Sequence, residues 1–383
     1  MLTDCLPHGD GLLADRFIRN LAARGHTLHV VTAGMQIQHP YPANVTLHPL
    51  STGSNGVGLG ARIRFAVAAR AKLKELATIL KFDLIHQLNP VVTGLSLGMY
   101  GVPFPFVMGP YVPDWPLIVR EGRLQRPGTI YRLKRSLKRL LWNRQHRMAS
   151  GIILSTPAAL EKVSHIERNR DKIRVIPYGI DAEVFNHGPF PSAPTILFLG
   201  HVMHHKGILV LLEAYRHVLE RLPGAKLVVA GTGSQMEEAR ALAASIAASD
   251  QISFLGRVRR EDIASVMQNC TLYCMPSYGE AFGLGALEAM ACGRPVVGTD
   301  AGGLAYLISN EGGRKVTMGD APALAVAMLE ILSNPPLAQH MGAANRRLVE
   351  QRYAWPRVID QLEEMYFTIL ESALRSATKP LPQ

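Results

Sequence analysis

Cysteine is scarce, with four in 383 residues and no C-x-x-C pair. That excludes a disulfide framework and a zinc site, and points to a reducing compartment. Cys270 and Cys274 flank an apolar run at four-residue spacing and are expected to be buried thiols. No apolar run reaches the ~18 residues that span a bilayer. The start, Met1-Leu2-Thr3-Asp4-Cys5, lacks the basic head and apolar stretch of a signal peptide. A cytoplasmic protein is expected, with peripheral contact at the inner membrane face as an option.

Acids are also short, at 30 against 41 Lys and Arg, leaving a net charge of +11. The excess is concentrated. Between Arg120 and Arg147 lie ten Lys or Arg residues and one acid, Glu121. Ile130, Leu133, Leu137, Leu140 and Leu141 recur there at helical spacing, which predicts a helix with one apolar face and basic flanks. Such a helix suits an anionic membrane surface, or it packs normally with long basic stems over apolar neighbours. No basic stretch resembles an RNA- or DNA-binding module with interleaved aromatics, so nucleic acid is not an expected partner.

With 48% hydrophobic residues, the chain has the material for two domains of ordinary size. Short β-branched runs alternate with helical patterns, as in doubly wound α/β domains. Strands are expected at Leu28 to Thr32, Asp83 to Gln87, Pro105 to Met108, Gly151 to Leu154 and Ile173 to Ile176, with helices such as Leu12 to Arg24 and Ile63 to Leu80 between them. The Pro- and Gly-rich residues 184–194 read as a linker. Residues 195–352 repeat the strand–helix pattern six times and close with further helices, 353–374 form a last amphipathic helix, and 375–383 form a tail.

Function concentrates in Pro276-Ser277-Tyr278-Gly279-Glu280-Ala281-Phe282-Gly283-Leu284-Gly285-Ala286-Leu287-Glu288, followed by Gly293-Arg294-Pro295. Two carboxylates bracket an aromatic-glycine turn at the start of a helix, Glu280 before it and Glu288 inside it. A helix N-terminus offers free N–H groups and a positive dipole end, where phosphate binds. Gly283 and Gly285 permit close backbone approach to a ligand, and Gly293 stops the helix. A capped surface helix accounts for Gly293 but not for the two glutamates.

This segment resembles the E-x7-E region of the retaining glycosyltransferases of family 4 (group 1), which have the GT-B fold. Ile196-Leu197-Phe198-Leu199-Gly200 with Lys206-Gly207, Gly231-Thr232-Gly233, Gly256-Arg257-Val258 and Pro177-Tyr178-Gly179 resemble family segments in the expected order. The likeness is specific from about residue 150 to 356 and loose before that. It implies two Rossmann-like parallel-sheet domains facing across a cleft, an acceptor-side domain at 1–183 and a nucleotide-sugar domain at 195–352. The helix 353–374 would cross back to the first. It also implies transfer of a sugar from a nucleotide-diphosphate-sugar to an acceptor hydroxyl, on a glycan, lipid or small molecule, with retention and without a metal or cofactor.

The resemblance assigns Lys206 to the diphosphate, Glu280 to the sugar hydroxyls, Glu288 to the ribose, and Gly256, Arg257 and Val258 to the base. Gly200, Gly231, Phe282, Gly283 and Leu284 complete the donor loops. His201 stands where relatives have Arg, and an imidazole is charged only when its pKa is raised. Gly9 and Gly11 stand in a loop that in relatives is Gly-Gly-x-Glu, and here departs from it. His86, Asn89 and Asp114 are the acceptor-side candidates. The first strand has only Met1 to Cys5 to draw on, so a central strand is expected to be short, with the natural reading frame beginning upstream. A phosphorylase or epimerase of the same fold, and a catalytically decayed nucleotide-sugar-binding protein, are the alternatives.

Overall fold

The computed structural model describes residues 2–3, 10–32, 39–50, 59–88, 99, 102–113, 118–120, 123–125, 143–163, 165–246 and 251–377. The chain forms two compact units. The first comprises Met1–Val112, Gly128–Tyr178 and Trp355–Gln383, the second Pro113–Pro127 and Gly179–Ala354.

The first unit is a seven-stranded parallel sheet. Its strands begin with β1 (Leu2–Thr3), β2 (Leu28–Thr32), β3 (Val45–Pro49), β4 (Ile85–Gln87) and β5 (Phe106–Tyr111). An antiparallel hairpin, β6 (Ile118–Arg120) and β7 (Arg123–Gln125), follows in sequence and groups with the second unit. β8 (Gly151–Leu154) and β9 (Ile173–Val175) complete the sheet in the order β3-β2-β1-β4-β5-β8-β9. Side chains alternate between its faces, as a pleated strand requires. Val31, Ile85, Met108 and Leu154 pack with Leu73 and Leu76 of the helix Leu59–Ile79. His86 turns to the other face and meets Tyr366 on the helix Trp355–Ala377, and Gly151 leaves room there for Met365 and Ile369. That helix is fixed to the helix Asp10–Ala23 by Phe17 against Trp355, rings 5.0 Å apart, and by Arg24 bonded to Asp360 at 2.5 Å.

Two expectations change. β3 was not anticipated; it is an edge strand whose residues are half-buried or exposed, so it lacks a continuous apolar run. β5 continues through Gly109 and Pro110 to Tyr111, with a register shift against β8, where the sequence suggested a loop after Met108. In the basic stretch, Arg120 pairs with Arg123 in the hairpin register and residues 143–148 are helical, while the helix expected over Ile130 to Leu141 lies outside the described residues. Residues 121–122 and 126–142 lie outside the described residues, as do Cys5 and the tail from 378.

The second unit is a six-stranded parallel sheet: β10 (Thr195–Leu199), β11 (Lys226–Ala230), β12 (Ile252–Gly256), β13 (Leu272–Met275), β14 (Val296–Thr299) and β15 (Gly313–Val316), ordered β12-β11-β10-β13-β14-β15. The central strands β10, β13 and β14 are buried along nearly their whole length, as a parallel sheet covered on both faces requires. One core joins Ile196, Phe198, Leu227 and Val297 to Leu211 and Tyr215 of the helix Ile208–Arg221, and to Leu324 and Met328 of the helix Ala321–Leu332. Each such aliphatic side chain stabilises by roughly 1.5–3 kcal/mol on full burial. The helix Ala321–Leu332 and the one that follows it are capped by side chains: Asp320 accepts from the Ala323 amide at 2.9 Å and Asn334 from that of Leu337 at 3.1 Å.

Residues 184–194 are held rather than loose. The fully buried Arg294 donates to the carbonyls of Gly188 (2.5 Å) and Pro189 (3.0 Å) and lies 4.3 Å over the Phe190 ring. Cys270, Cys274 and Cys292 are buried thiols, and burial pushes the Cys270 thiol up to about 12. Among the described residues, no single helix is long and apolar enough to cross a membrane.

Candidate functional site

In the second unit the strand order reverses between β10 and β13, and ligands of open α/β sheets bind at the carboxyl ends of strands beside such a reversal. The loop after β10 carries Lys206 and the loop after β13 carries Glu280, and the two side chains meet there. Lys206 Nζ lies 2.6 Å from Glu280 Oε2, with both side chains largely buried. Ser277 Oγ lies 3.4 Å from the same oxygen.

The loops are stitched by backbone. Tyr278 N–H donates to the His205 carbonyl at 2.8 Å, and a side chain at Gly207 (φ 72°) would strike the Pro276 carbonyl. Gly303 N–H donates to the Glu280 carbonyl at 2.7 Å, and a Cβ on Gly302 (φ 55°) would run into that same oxygen. Gly302 and Gly303 therefore set the position of Glu280. Thr299 Oγ1 donates to the Ser277 carbonyl at 2.5 Å, tying β14 to the same loop.

Gly283, at φ 96°, turns the chain into the helix Leu284–Ala291, whose first amides receive no bond from a capping side chain. Phe282 is buried, its ring 6.4 Å from that of Tyr353, and Leu284 is exposed. Gly285 serves packing rather than ligand approach: a Cβ there would meet the Tyr273 phenol, which donates to the Leu199 carbonyl at 2.9 Å. Glu288 sits one turn inside this helix. Burial pushes its carboxyl up to about 7, with Arg260 acting weakly in the opposite direction.

Gly200, Gly231 and Gly256, at the ends of three neighbouring strands, form a backbone row. Gly231 N–H donates to the Gly256 carbonyl at 2.7 Å, and a Cβ on Gly231 would overlap the Gly200 carbonyl. Arg257 is exposed and Val258 half-buried at the end of that row. His201 is exposed beside Gly200. Among the described residues, no group of three His, Cys, Asp or Glu side chains is placed to hold a metal ion.

The first-unit candidates fare differently. His86 is 2% exposed, with Nδ1 2.5 Å from the Tyr366 hydroxyl and Nε2 3.0 Å from the Gly109 carbonyl. Gly109 can only accept, so Nε2 carries the proton and Nδ1 accepts from Tyr366. Burial holds the imidazole down at about 3, and both nitrogens are engaged in the fold. His86 is thus a structural histidine rather than an acceptor contact. Gly11 lies in the first turn of the helix Asp10–Ala23, not in a loop ahead of it. Gly9, Asn89 and Asp114 lie outside the described residues.

Residues 180–348 match the family described as glycosyl transferases group 1, and residues 9–184 match glycosyltransferase family 4. The phosphatidyl-myo-inositol mannosyltransferase of Mycobacterium leprae is 28% identical over 355 residues, spanning 90% of this chain and 85% of the relative. Sucrose-phosphate synthase of Thermosynechococcus elongatus superposes with a TM-score of 0.75 at 21% identity, over 97% of this chain and 99% of that one. HepE of Anabaena, solved with UDP and glucose, superposes with a TM-score of 0.68 at 19% identity, over 95% and 97%. Two Rossmann-like units with this site define a glycosyltransferase of the GT-B fold. The chain belongs to glycosyltransferase family 4, group 1.

Proposed function

We propose that the enzyme transfers a sugar from a nucleotide-diphosphate-sugar to an acceptor hydroxyl with retention of configuration, without a metal ion or cofactor. The observation that carries this reading is the meeting of Lys206 and Glu280 across the β10–β13 reversal, beside a helix start with no side-chain cap. Phosphate oxygens go to Lys206 and the amides opening the helix Leu284–Ala291, sugar hydroxyls to Glu280, and ribose hydroxyls to Glu288. The base lies along the backbone of Gly256–Val258, with exposed His201 as a further diphosphate contact.

In the chemical step the bond from the anomeric carbon to the phosphate oxygen breaks as the acceptor oxygen bonds to that carbon on the same face. The departing phosphate oxygen takes the acceptor proton, so no side chain need serve as base. Lys206 and the helix amides stabilise the negative charge gathering on the leaving group. The acceptor is a glycan or lipid. The name of the Mycobacterium leprae relative and the basic run 120–147 support a membrane-borne acceptor, met at the cytoplasmic face.

The test is to screen nucleotide-sugars by thermal shift, then incubate the stabilising donor with lipid and glycan extracts. Mass spectrometry should find a product heavier by one sugar, and the anomeric proton coupling of that product should match the donor's configuration. Lys206→Ala should lose product formation. Phosphate-dependent cleavage, epimerised donor, or an inverted product would overturn the reading.

A further inference from the structure

In the second unit, β10 and β13 part before either strand ends. Their pairing sets Ile196 beside Leu272 and Leu197 beside Tyr273 and stops there, while β10 continues against β11 as far as Leu199 beside Ala230. The next peptide joins Leu199 to Gly200 and is trans. Its N–H donates to the Ala230 carbonyl at 2.9 Å, on the β11 side. Its carbonyl points the opposite way, towards β13, where the ladder has already ended. A buried carbonyl needs a partner. The Tyr273 hydroxyl supplies it, donating to the Leu199 carbonyl at 2.9 Å.

The Tyr273 side chain is fully buried, and its hydroxyl meets a second backbone. A Cβ on Gly285 would lie 2.5 Å from the hydroxyl oxygen and 3.3 Å from Cζ of the same ring. The first turn of the helix Leu284–Ala291 therefore rests on the phenol, which leaves room there for glycine alone. One hydroxyl thus stands between the peptide that opens the Lys206 loop and the start of that helix. Burial pushes its pKa well up, and the charges of Glu288 and then Glu280 push it the same way, so it stays a protonated donor.

We propose that Tyr273 is a positioning residue for sugar transfer: wedged between the Leu199 carbonyl and Gly285, its hydroxyl sets the spacing of the Lys206 loop and the helix Leu284–Ala291, and so the place of the donor diphosphate. The inference rests on the donor assignment made above. A diphosphate bridges the two backbones that the phenol holds apart, so its binding registers their separation. A nucleoside monophosphate has one phosphate and can follow either of them. Tyr273→Phe keeps the ring and removes the spacer, leaving the Leu199 carbonyl without its partner at the floor of the crevice. Gly285→Ala does the converse and pushes the helix start off the phenol. Combining the two substitutions puts a methyl group where the hydroxyl was.

The test measures binding of UDP, GDP, ADP, CDP and TDP by calorimetry, takes the tightest, and pairs it with its own monophosphate. In Tyr273→Phe the diphosphate Kd should weaken about tenfold, the cost of one unmet buried acceptor, and the monophosphate Kd by less than about threefold. Gly285→Ala alone should weaken the diphosphate at least as much, and Tyr273→Phe/Gly285→Ala should recover most of that loss. Wild-type diphosphate affinity in Tyr273→Phe, with Lys206→Ala impaired, would overturn this inference and leave the donor assignment standing. Equal weakening of both ligands with a lowered Tm would also overturn it, as would a double variant no tighter than Gly285→Ala. Wild-type affinity in Lys206→Ala, or no binding of any of the diphosphates, would overturn the donor assignment and this inference together. If Gly285→Ala does not fold, Tyr273→Phe, which keeps the ring, decides alone.

Discussion

Glu288 sits on the buried helix that opens beside the Lys206–Glu280 pair, and burial holds its carboxyl at about 7 instead of 4.5. The folded protein thus binds this proton more tightly than the unfolded chain does. Stability is then lost as pH rises from about 4.5, where the unfolded carboxyl ionises, to about 7, where the folded one follows; above that the loss is complete. A difference of about 2.5 pKa units corresponds to about 3 kcal/mol, reduced to about 2 by partial access to water. Glu288→Gln keeps the shape and removes the proton. The variant should match wild type in stability near pH 4.5 and exceed it by about 2–3 kcal/mol at pH 8. For a unit of this size that is roughly 5–10 °C in Tm. Paired melts of the two empty proteins at pH 5, 6, 7 and 8 measure the difference and cancel every other titration. An offset that does not change with pH, or a variant less stable at pH 8, would refute the burial argument. The same carboxylate should bind donor hydroxyls best when ionised. Wild-type donor affinity should therefore tighten as pH rises through 7, and the variant's should stay flat.

Glu288→Ala should mainly weaken donor binding and Glu280→Ala mainly lower kcat, each by roughly 1.5–3 kcal/mol in steady-state kinetics. Wild-type values in both would remove the donor-site assignment. Gly302→Ala should lower kcat and Tm together, because its Cβ meets the Glu280 carbonyl. Gly256→Ala, where the Cβ would find open space and only φ 67° is strained, should cost only about 1–2 kcal/mol of stability. If 120–147 meets a membrane, the protein should sediment with anionic liposomes and release as salt rises. Replacing Arg135, Lys138 and Arg139 with Gln should abolish this, and equal binding to neutral liposomes would count against it.

The second unit's strands were legible because a parallel sheet covered on both faces demands continuous apolar runs, as at Leu197–Phe198 and Val296–Val297. The edge strand β3 was not, since His48 and Pro49 interrupt its pattern and half its surface faces water. The residue types at the site could be read as well: two glutamates about a turn, and a lysine after a strand. Their partnership could not, because Lys206 and Glu280 stand 74 residues apart and only the strand order brings them together. Gly302 and Gly303 read as generic turn glycines, since the collision that excludes a side chain there is with a carbonyl contributed by another loop. His86 looked polar and available at a strand end, but one turn of the last helix, far along the chain, supplies the hydroxyl that occupies it.

The Lys206–Glu280 pair also bears on which ligands the proposed site would favour. A simple anion such as orthophosphate that captured Lys206 would strip Glu280 of its counter-charge in a largely buried setting, and breaking such a pair is costly. A ligand carrying phosphate on one side and hydroxyl groups on the other compensates both partners at once. On the proposed assignment, the pair would favour a phosphate joined to a hydroxyl-bearing group over inorganic phosphate alone.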